Sequence, residues 1–317
     1  MIDLMQHLPI LPVVIPMMCG ALMLATRDGN RRGRLTIGFI SIMSQLVVAI
    51  MLLCMTAGIL PAPWADGVGV YLLGDWPAPF GIVAVVDRLS TMMLVLTALL
   101  GLSAWIYSTA RWDRAGVHFH PLYQFLLMGL NGAFLTGDLF NLFVFFEVLL
   151  AASYGLALHG SGRARVRSGL HYVAVNLVAS FLLLIAMAMI YGVTGSLNMA
   201  DLAARAGELA GPERRLFEAG AAILGVAFLI KAAAWPLNFW LPATYSNAAA
   251  PVAAVFMIMT KVGIYAVLRI GSLLLPTGAP AAFGGEWMFV VGIATLIFGI
   301  IGLIAAPQAE RQASYCA

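Results

Sequence analysis

The chain has 317 residues, of which 62% are hydrophobic and only 10% are charged. A soluble globular protein carries about 25% charged residues, so this composition excludes a soluble fold and predicts a protein of the lipid bilayer. The formal net charge of +3 comes from arginines in the gaps between apolar stretches, and it therefore indicates no nucleic-acid partner. The three cysteines form no CxxC pair and have no metal-ligand spacing, so no metal site is expected. The sequence implies no cofactor.

Long apolar stretches recur along the chain and are separated by short polar gaps. They are near or above the roughly 18 to 20 residues needed to cross a bilayer, and they do not alternate as barrel strands do, so we predict helices. The nine predicted spans lie, in chain order, at 8–26, 36–60, 88–110, 121–136, 138–158, 170–192, 216–240, 249–271 and 287–306. The predicted fold class is therefore an all-α polytopic membrane protein.

Three local patterns add detail to this series of spans. Residues 68–86 contain strand-like runs around Trp76-Pro77-Ala78-Pro79, which predicts a small hairpin at the membrane surface. Residues 197–209 have the pattern of a short amphipathic surface helix. Within the seventh span, Trp235-Pro236 predicts a break, because proline lacks the N–H that a helix needs.

Arginine is distributed unevenly between alternate gaps, and this predicts the orientation of the chain. The gaps on one side hold ten arginines: Arg27, Arg31, Arg32, Arg34, Arg111, Arg114, Arg163, Arg165, Arg167 and Arg311. The gaps on the other side hold five: Arg88, Arg205, Arg214, Arg215 and Arg269. Because cytoplasmic loops are enriched in basic residues, we expect the first set to face the cytoplasm. The N-terminus then faces outward and the C-terminus of this chain lies in the cytoplasm.

Three ionisable side chains fall deep within predicted spans: Glu147, Lys231 and Lys261, the last two being the only lysines of the chain. An ionisable group inside a membrane is costly and usually belongs to an ion or proton path. Glu147 lies nine residues from Asp138 at the outer helix end, and at 1.5 Å per residue it comes near mid-membrane. We interpret the three as a proton relay. The alternative is a static ion pair that locks two helices together.

Seven other residues are secondary candidates for this relay, because they are polar or break a helix near these charges. They are His159, His171, Tyr172, Asn176, Ser180, Pro236 and Tyr265. Tyr172, Asn176 and Ser180 recur every four residues and so share one helix face. Pro236 interrupts the helix of Lys231, and interrupted helices expose backbone to water in transporters. For the polar candidates, an interhelical hydrogen bond is the alternative interpretation.

The chain resembles the D subunit of Mrp-type multisubunit cation/proton antiporters, also called Pha or Mnh. The resemblance covers nearly all of residues 8–306 and rests on the runs VVDRLSTMMLVLT, GDLFNLFVFFEVLLAASYGL and LIKAAAWPLNFWLPATYSNAAAPVAAVFMIMTKVGIYAVLR. That subunit is similar to the antiporter-like subunits of respiratory complex I. The resemblance implies that Glu147, Lys231 and Lys261 correspond to the central proton relay on helices five, seven and eight.

The resemblance also implies a domain organisation. Family members have about fourteen helices, and helices four to eight and nine to thirteen form two inverted repeats. We therefore expect a single transmembrane domain over 1–317, divided into N-terminal helices at 1–120, a first five-helix repeat at 121–271 and the start of a second repeat at 287–317. Since the sequence stops after the ninth span, we expect it to hold half of the proton path.

Transport is the function that the resemblance implies. We expect a proton-translocating subunit in a bacterial inner membrane that works with other membrane subunits to exchange cytoplasmic Na+ or K+ for external protons. The alternatives are a proton-pumping subunit of a complex I or membrane-hydrogenase type, and a structural or assembly subunit without transport. An enzyme is disfavoured, because no cluster of acid, base or metal-ligating residues occurs on the loops of one face.

Overall fold

Helices make up most of the computed structural model, which describes residues 5–26, 30–64, 66–116, 118–274 and 285–317. The α-helices are α1 Leu11–Ala25, α2 Arg31–Thr56, α3 Arg88–Ser108, α4 Phe119–Leu135, α5 Leu139–Ala157, α6 Arg163–Thr194, α7 Met199–Ala206, α8 Gly211–Lys231, α9 Leu241–Asn247, α10 Ala250–Leu274, α11 Gly285–Ala305 and α12 Ala309–Tyr315. A 3-10 turn, Leu8–Ile10, leads into α1. Two strands, β1 Gly69–Leu72 and β2 Val83–Val86, lie between α2 and α3.

Each of the nine predicted spans overlaps a helix in the described part of the chain, namely α1 to α6, α8, α10 and α11. Seven of these are long and apolar enough to cross a membrane: α1 with its leading turn, α2, α3, α5, α6, α10 and α11. The prediction of an all-α polytopic membrane protein is confirmed. The predicted end of the seventh span at residue 240 is wrong, because α8 ends at Lys231. Arg27, one of the arginines used for orientation, lies outside the described residues.

The chain forms two compact units. The first consists of Met1–Gly160 with Ala249–Val255, and the second of Ser161–Ala248 with Phe256–Ala317. In the first unit, α4 packs against α5 and α1, and α2 packs against α3. Glycine permits the close contact of α4 with α5, since a Cβ on Gly132 would lie 2.2 to 2.4 Å from the Phe145 ring.

Buried polar side chains join the helices of the first unit. Asn131 on α4 donates from Nδ2 to the Pro12 carbonyl at 2.8 Å and to Gln45 Oε1 at 2.9 Å. Ser41 on α2 donates to Gln124 Oε1 on α4 at 2.8 Å. In apolar surroundings an unpartnered polar group is costly, so these bonds hold α1, α2 and α4 in one arrangement.

The predicted hairpin is present in the first unit, where it contacts the turn that precedes α5. β1 and β2 are antiparallel, with Gly69 opposite Val86. β2 also pairs with the turn between α4 and α5, in which Gly137 N–H donates to the Val83 carbonyl at 2.8 Å. The hairpin therefore positions the start of the helix that carries Glu147.

In the second unit, α6 packs along α8, and α9 packs against α6 and α12. The predicted amphipathic helix is α7, which begins after Asn198 because the side chain of that residue accepts from the N–H groups of Ala200 and Asp201. Near the end of α7, Arg205 Nη1 donates to the Thr194 carbonyl at 2.8 Å. The short helix is thereby attached to the end of α6.

Candidate functional site

Glu147 lies in the middle of α5, in the first unit, and is half-buried. α5 begins at Leu139 because Asp138 caps it, accepting from the N–H of Asn141 at 2.8 Å. Tyr154 follows Glu147 by seven residues, so the two share a helix face. The carboxylate thus shares its face of α5 with a phenol.

Lys231 is the last residue of α8 and is only 4% exposed. Its Nζ donates to Ser180 Oγ on α6 at 3.2 Å. A buried ammonium requires hydrogen-bond partners, and here one of them is a neutral hydroxyl. The two residues, which sequence analysis assigns to different spans, meet because α6 packs along α8.

The end of α8 is produced by backbone geometry immediately after Lys231. Ala233 adopts the left-handed conformation, with φ of 53°. The N–H groups of the three alanines that follow Lys231 donate to the last-turn carbonyls of residues 228–230 at 2.7 to 3.0 Å, which closes the helix. Sequence analysis attributes the break to Pro236, but the helix has already ended when the chain reaches that residue. A broken seventh helix is therefore present, with an earlier break than expected.

Trp240 is a residue of this region that sequence analysis misses. It is 3% exposed, and its Nε1 donates to the Ile230 carbonyl at 3.2 Å. Earlier in the same segment, the backbone N–H of Trp235 donates to Thr295 Oγ1 at 2.9 Å. An indole in an apolar run is typical of ordinary packing, so the sequence carries no signal for the bond of Trp240.

The predicted polar face of α6 contacts Lys231 through Ser180. Tyr172, Asn176 and Ser180 are all buried, and Asn176 Nδ2 donates to the Tyr172 carbonyl at 3.0 Å. His171, although adjacent to Tyr172 in sequence, is exposed. The buried polar face thus consists of three of the four α6 candidates, and His171 lies off it.

Lys261 lies on α10 in the second unit. Its Nζ donates to Thr260 Oγ1 at 3.2 Å and to the backbone oxygen of Ala317. One turn later on α10, Tyr265 is buried, and its hydroxyl accepts from Arg269 Nε at 3.1 Å. Lys261 thus contacts the hydroxyl of a neighbouring threonine, while the Tyr265 hydroxyl contacts an arginine.

His159 lies in the first unit, just beyond the end of α5. Its Nε2 is 2.9 Å from the Trp112 carbonyl oxygen, and its ring centroid is 5.0 Å from that of Phe119. These contacts hold the loop between α3 and α4 against the end of α5. The histidine thus has a structural contact in addition to its predicted relay role, which remains a prediction.

A buried ion-pair cluster in the first unit is a second feature that sequence analysis misses. The Asp113 side chain is 1% exposed. Arg31 donates to it through Nε at 2.7 Å and Nη2 at 3.2 Å, and His120 Nε2 lies 3.3 Å from its Oδ2. Sequence analysis uses Arg31 only as a signal of orientation. Nothing in the sequence marks Asp113, which lies in a short gap between two spans.

Within the second unit, the structure brings Lys231 together with the buried polar face of α6. Glu147 belongs to the first unit, and its ion pair with Lys231 remains a prediction. Among the described residues, no group of three or more His, Cys, Asp or Glu side chains is arranged to hold a metal ion. One contact of Lys231 that the structure shows is the hydrogen bond from its ammonium to the Ser180 hydroxyl.

Known proteins resemble this chain over nearly its whole length. The D subunit of the probable K(+)/H(+) antiporter of Rhizobium meliloti (strain 1021) is 53% identical, with 99% of this chain and 58% of that protein covered. The D subunit of the Na(+)/H(+) antiporter of Alkalihalophilus pseudofirmus (strain ATCC BAA-2126 / JCM 17055 / OF4) is 39% identical, with 98% of this chain and 61% of that protein covered. The chain therefore spans less than two thirds of the length of these curated relatives.

A solved structure and a family profile agree with these relatives. The structure of the Mrp complex from Dietzia sp. DQ12-45-1b contains a chain that is 32% identical and superposes with a TM-score of 0.85, with 98% of this chain and 56% of that chain covered. The profile of the family described as "NADH:quinone oxidoreductase/Mrp antiporter, TM" matches residues 136–313, a range that includes Glu147, Lys231 and Lys261. This chain belongs to the NADH:quinone oxidoreductase/Mrp antiporter family of transmembrane proteins.

Proposed function

We propose that this chain is a proton-translocating subunit of a multisubunit monovalent cation/proton antiporter. The observation that carries the proposal is Lys231, a buried lysine at the point where a helix breaks, with its ammonium 3.2 Å from the Ser180 hydroxyl. Such a charge is costly within a membrane. If residue 231 only had to join two helices, a neutral side chain would serve equally well. The names of the relatives support exchange of K+ or Na+ for protons.

In the proposed relay, Lys231 exchanges a proton with Glu147 and Lys261. The approach of a carboxylate favours the ammonium form of a lysine, and its withdrawal favours the neutral form, so a change of separation is sufficient to load and unload the group. Tyr172, Asn176 and Ser180 supply polar groups along α6. The break after α8 supports water access, as it does in the discontinuous helices of transporters.

We further propose a setting for this relay: a bacterial inner membrane, with the arginine-rich loops in the cytoplasm and other membrane subunits beside the chain. The relatives support this setting because they are named as subunits, and because the related solved structure is that of a complex. In this proposal, the helices within residues 121–271 form one five-helix repeat and carry all three relay residues. The N-terminal helices within residues 1–120 stand outside the repeat.

Replacement of Lys231 by alanine tests the proposed function. In everted membrane vesicles, we expect Lys231→Ala to lower cation-dependent proton movement by about tenfold or more, since loss of an obligatory carrier raises the barrier by at least about 1.4 kcal/mol. A pH-sensitive dye reports proton movement, and a native gel reports assembly of the complex. Glu218→Gln is the matched control, because Glu218 is an exposed residue of the same helix, paired with Arg214 at 3.0 Å. Wild-type proton movement in Lys231→Ala would overturn the proposal and favour an assembly role.

A proton-pumping subunit of complex I type is the second candidate, because the family description includes NADH:quinone oxidoreductase. The two candidates differ in what drives the protons. An antiporter subunit responds to an imposed Na+ or K+ gradient without NADH, whereas a pump subunit requires quinone reduction. Vesicles supplied with a cation gradient and no NADH distinguish them: proton movement supports the antiporter, and movement only after addition of NADH and quinone supports the pump.

A further inference from the structure

Trp240 connects the broken end of α8 to α6. Its Nε1 donates to the Ile230 carbonyl at 3.2 Å, and its side chain is almost completely buried. Its ring centroid lies 5.4 Å from that of Tyr172 on α6 and 6.2 Å from that of Tyr245 on α9. One side chain therefore contacts the lysine-bearing turn, the polar face of α6 and the helix that follows the break.

We propose that Trp240 is a positioning residue for Lys231: its indole N–H occupies the Ile230 carbonyl and so directs the lysine ammonium to Ser180. The inference rests on the proposed function and deepens it. Ile230 immediately precedes Lys231, so its carbonyl belongs to the peptide group that attaches the lysine to the helix. A bond to this carbonyl acts on the lysine without touching its side chain.

The physical reason lies in the carbonyls at the end of a helix. The last carbonyls of an α-helix have no partner within the helix, and a lysine in the last turn can bind them. In α8, the carbonyls of residues 228–230 each accept from the N–H of one of the three alanines after Lys231. Trp240 adds a second donor at Ile230. Because these acceptors are already occupied, they compete less for the ammonium, which donates to Ser180.

The ring of Trp240 supports the same arrangement from the α6 side. Tyr172, which packs against the indole, lies on the helix face that also carries Ser180. On the other side of the indole, the Tyr245 hydroxyl donates to the Phe256 carbonyl at 2.6 Å, which fixes the ring that borders Trp240. The indole is therefore held by α6 and α9 while its N–H holds the end of α8.

Two variants at residue 240 and one matched control test the inference by the pH profile of transport in vesicles of the assembled complex. Trp240→Phe keeps an aromatic ring and removes the N–H. Replacement of Trp240 by benzothienylalanine, introduced by stop-codon suppression, keeps the bicyclic shape and removes the N–H alone. Trp235→Phe is the control, since Trp235 lies in the same segment and is 44% exposed. Titratable side chains on the surrounding elements are unchanged in all three variants; they include His171 and Tyr172 on α6, Tyr245 on α9, Lys261, Tyr265 and Arg269 on α10, and Tyr315 on α12.

In both variants at 240, we expect the midpoint of the pH profile to move upward by about half to one pH unit, the size that one hydrogen bond at a titrating group produces. The released Ile230 carbonyl becomes available to the ammonium form, which therefore persists to higher pH. The control keeps the wild-type midpoint. If Trp240→Phe does not assemble, the benzothienylalanine variant decides the question.

The possible failures of the two proposals are distinguishable. An unchanged midpoint, a shift to lower pH, or a reduced transport rate at an unchanged midpoint in the variants at 240 overturns the positioning role. When the positioning role fails in this way, the proposed function still stands if Lys231→Ala abolishes transport in the same vesicles. If Lys231→Ala transports like the wild type, the proposed function fails, and the positioning role fails with it.

Discussion

At Gly263, α10 lies close to the turn that follows Lys231. A Cβ at this position would lie 2.5 Å from the backbone nitrogen of Ala232, 2.8 Å from its Cα and 2.9 Å from its Cβ. These distances are far inside van der Waals contact, and a backbone cannot move aside as a flexible side chain can. The absence of a side chain at Gly263 is therefore a requirement of the turn that follows Lys231.

We predict that Gly263→Ala destabilises the protein by about 1 to 3 kcal/mol, the usual cost of forcing extra atoms into a packed interior. The same displacement of Ala232 is expected to lower transport, because it moves the turn next to Lys231. The melting temperature of the purified protein and proton movement in vesicles are the measurements.

Gly271 provides the matched control for this substitution. It lies on the same helix, and a Cβ there would meet nothing within 4 Å. Because alanine favours a helix over glycine by about 1 kcal/mol, Gly271→Ala is expected to leave stability unchanged or to raise it slightly. Equal effects of the two substitutions would show that helix propensity, and not the contact with Ala232, determines the outcome.

At the scale of elements, Asp113 joins the loop between α3 and α4 to the start of α2. Its buried carboxylate receives two hydrogen bonds from Arg31, and Arg31 Nη2 also donates to the Thr109 carbonyl at 2.9 Å. We predict that Asp113→Asn destabilises the protein by about 1 to 3 kcal/mol, because the amide leaves the guanidinium without its charged partner. The melting temperature measures the effect, which high salt should change less than it changes an exposed pair, since the Asp113 carboxylate is buried although the Arg31 side chain is 33% exposed.

The pair of Asp201 and Arg205 on α7 is the exposed counterpart of this ion pair. The two groups are 3.0 Å apart, with side chains 24% and 42% exposed. The hydrogen bond from Arg205 holds the pKa of the Asp201 carboxyl below its ordinary value. The pair therefore stabilises the protein fully at pH values above the ordinary pKa of the carboxyl, and this stabilisation is lost as pH falls through the lowered pKa. At neutral pH, we expect Asp201→Asn to cost at most about 1 kcal/mol, and less at high salt. A loss as large as that of Asp113→Asn would contradict the argument from burial.

The membrane spans can be predicted from the sequence, but the ends of the helices and the contacts between them cannot. The helix of Lys231 is predictable because a long apolar run containing one charge is a local signal. Its end is not, because alanine favours a helix, and nothing in the sequence indicates the left-handed conformation of Ala233. Arg31 and Asp113 are 82 positions apart, so their bond arises only once the helices have packed. The bond of Trp240 to Ile230 is equally a product of the tertiary fold.

At the scale of the whole molecule, the three residues of the proposed relay are divided between the two units. Glu147 is in the first unit, and Lys231 and Lys261 are in the second. Helix α10, which carries Lys261, has its first residues in the first unit and the remainder in the second. Sequence analysis could predict the three relay candidates from the depth of each in its own span. The groups that surround each candidate could not be predicted, because they are brought together by packing within the units.

The orientation of the chain in the membrane can be measured by labelling single cysteines, introduced in a background where Cys19, Cys54 and Cys316 are replaced by alanine. Trp76→Cys on the hairpin should react with an impermeant maleimide in intact cells, because the gap that contains Trp76 belongs to the side with five arginines rather than ten. Ala164→Cys, an exposed site among three arginines at the start of α6, should react only after permeabilisation. Denatured samples control for labelling efficiency. The reverse pattern would place the arginine-rich loops outside and invert the direction of the proposed proton path.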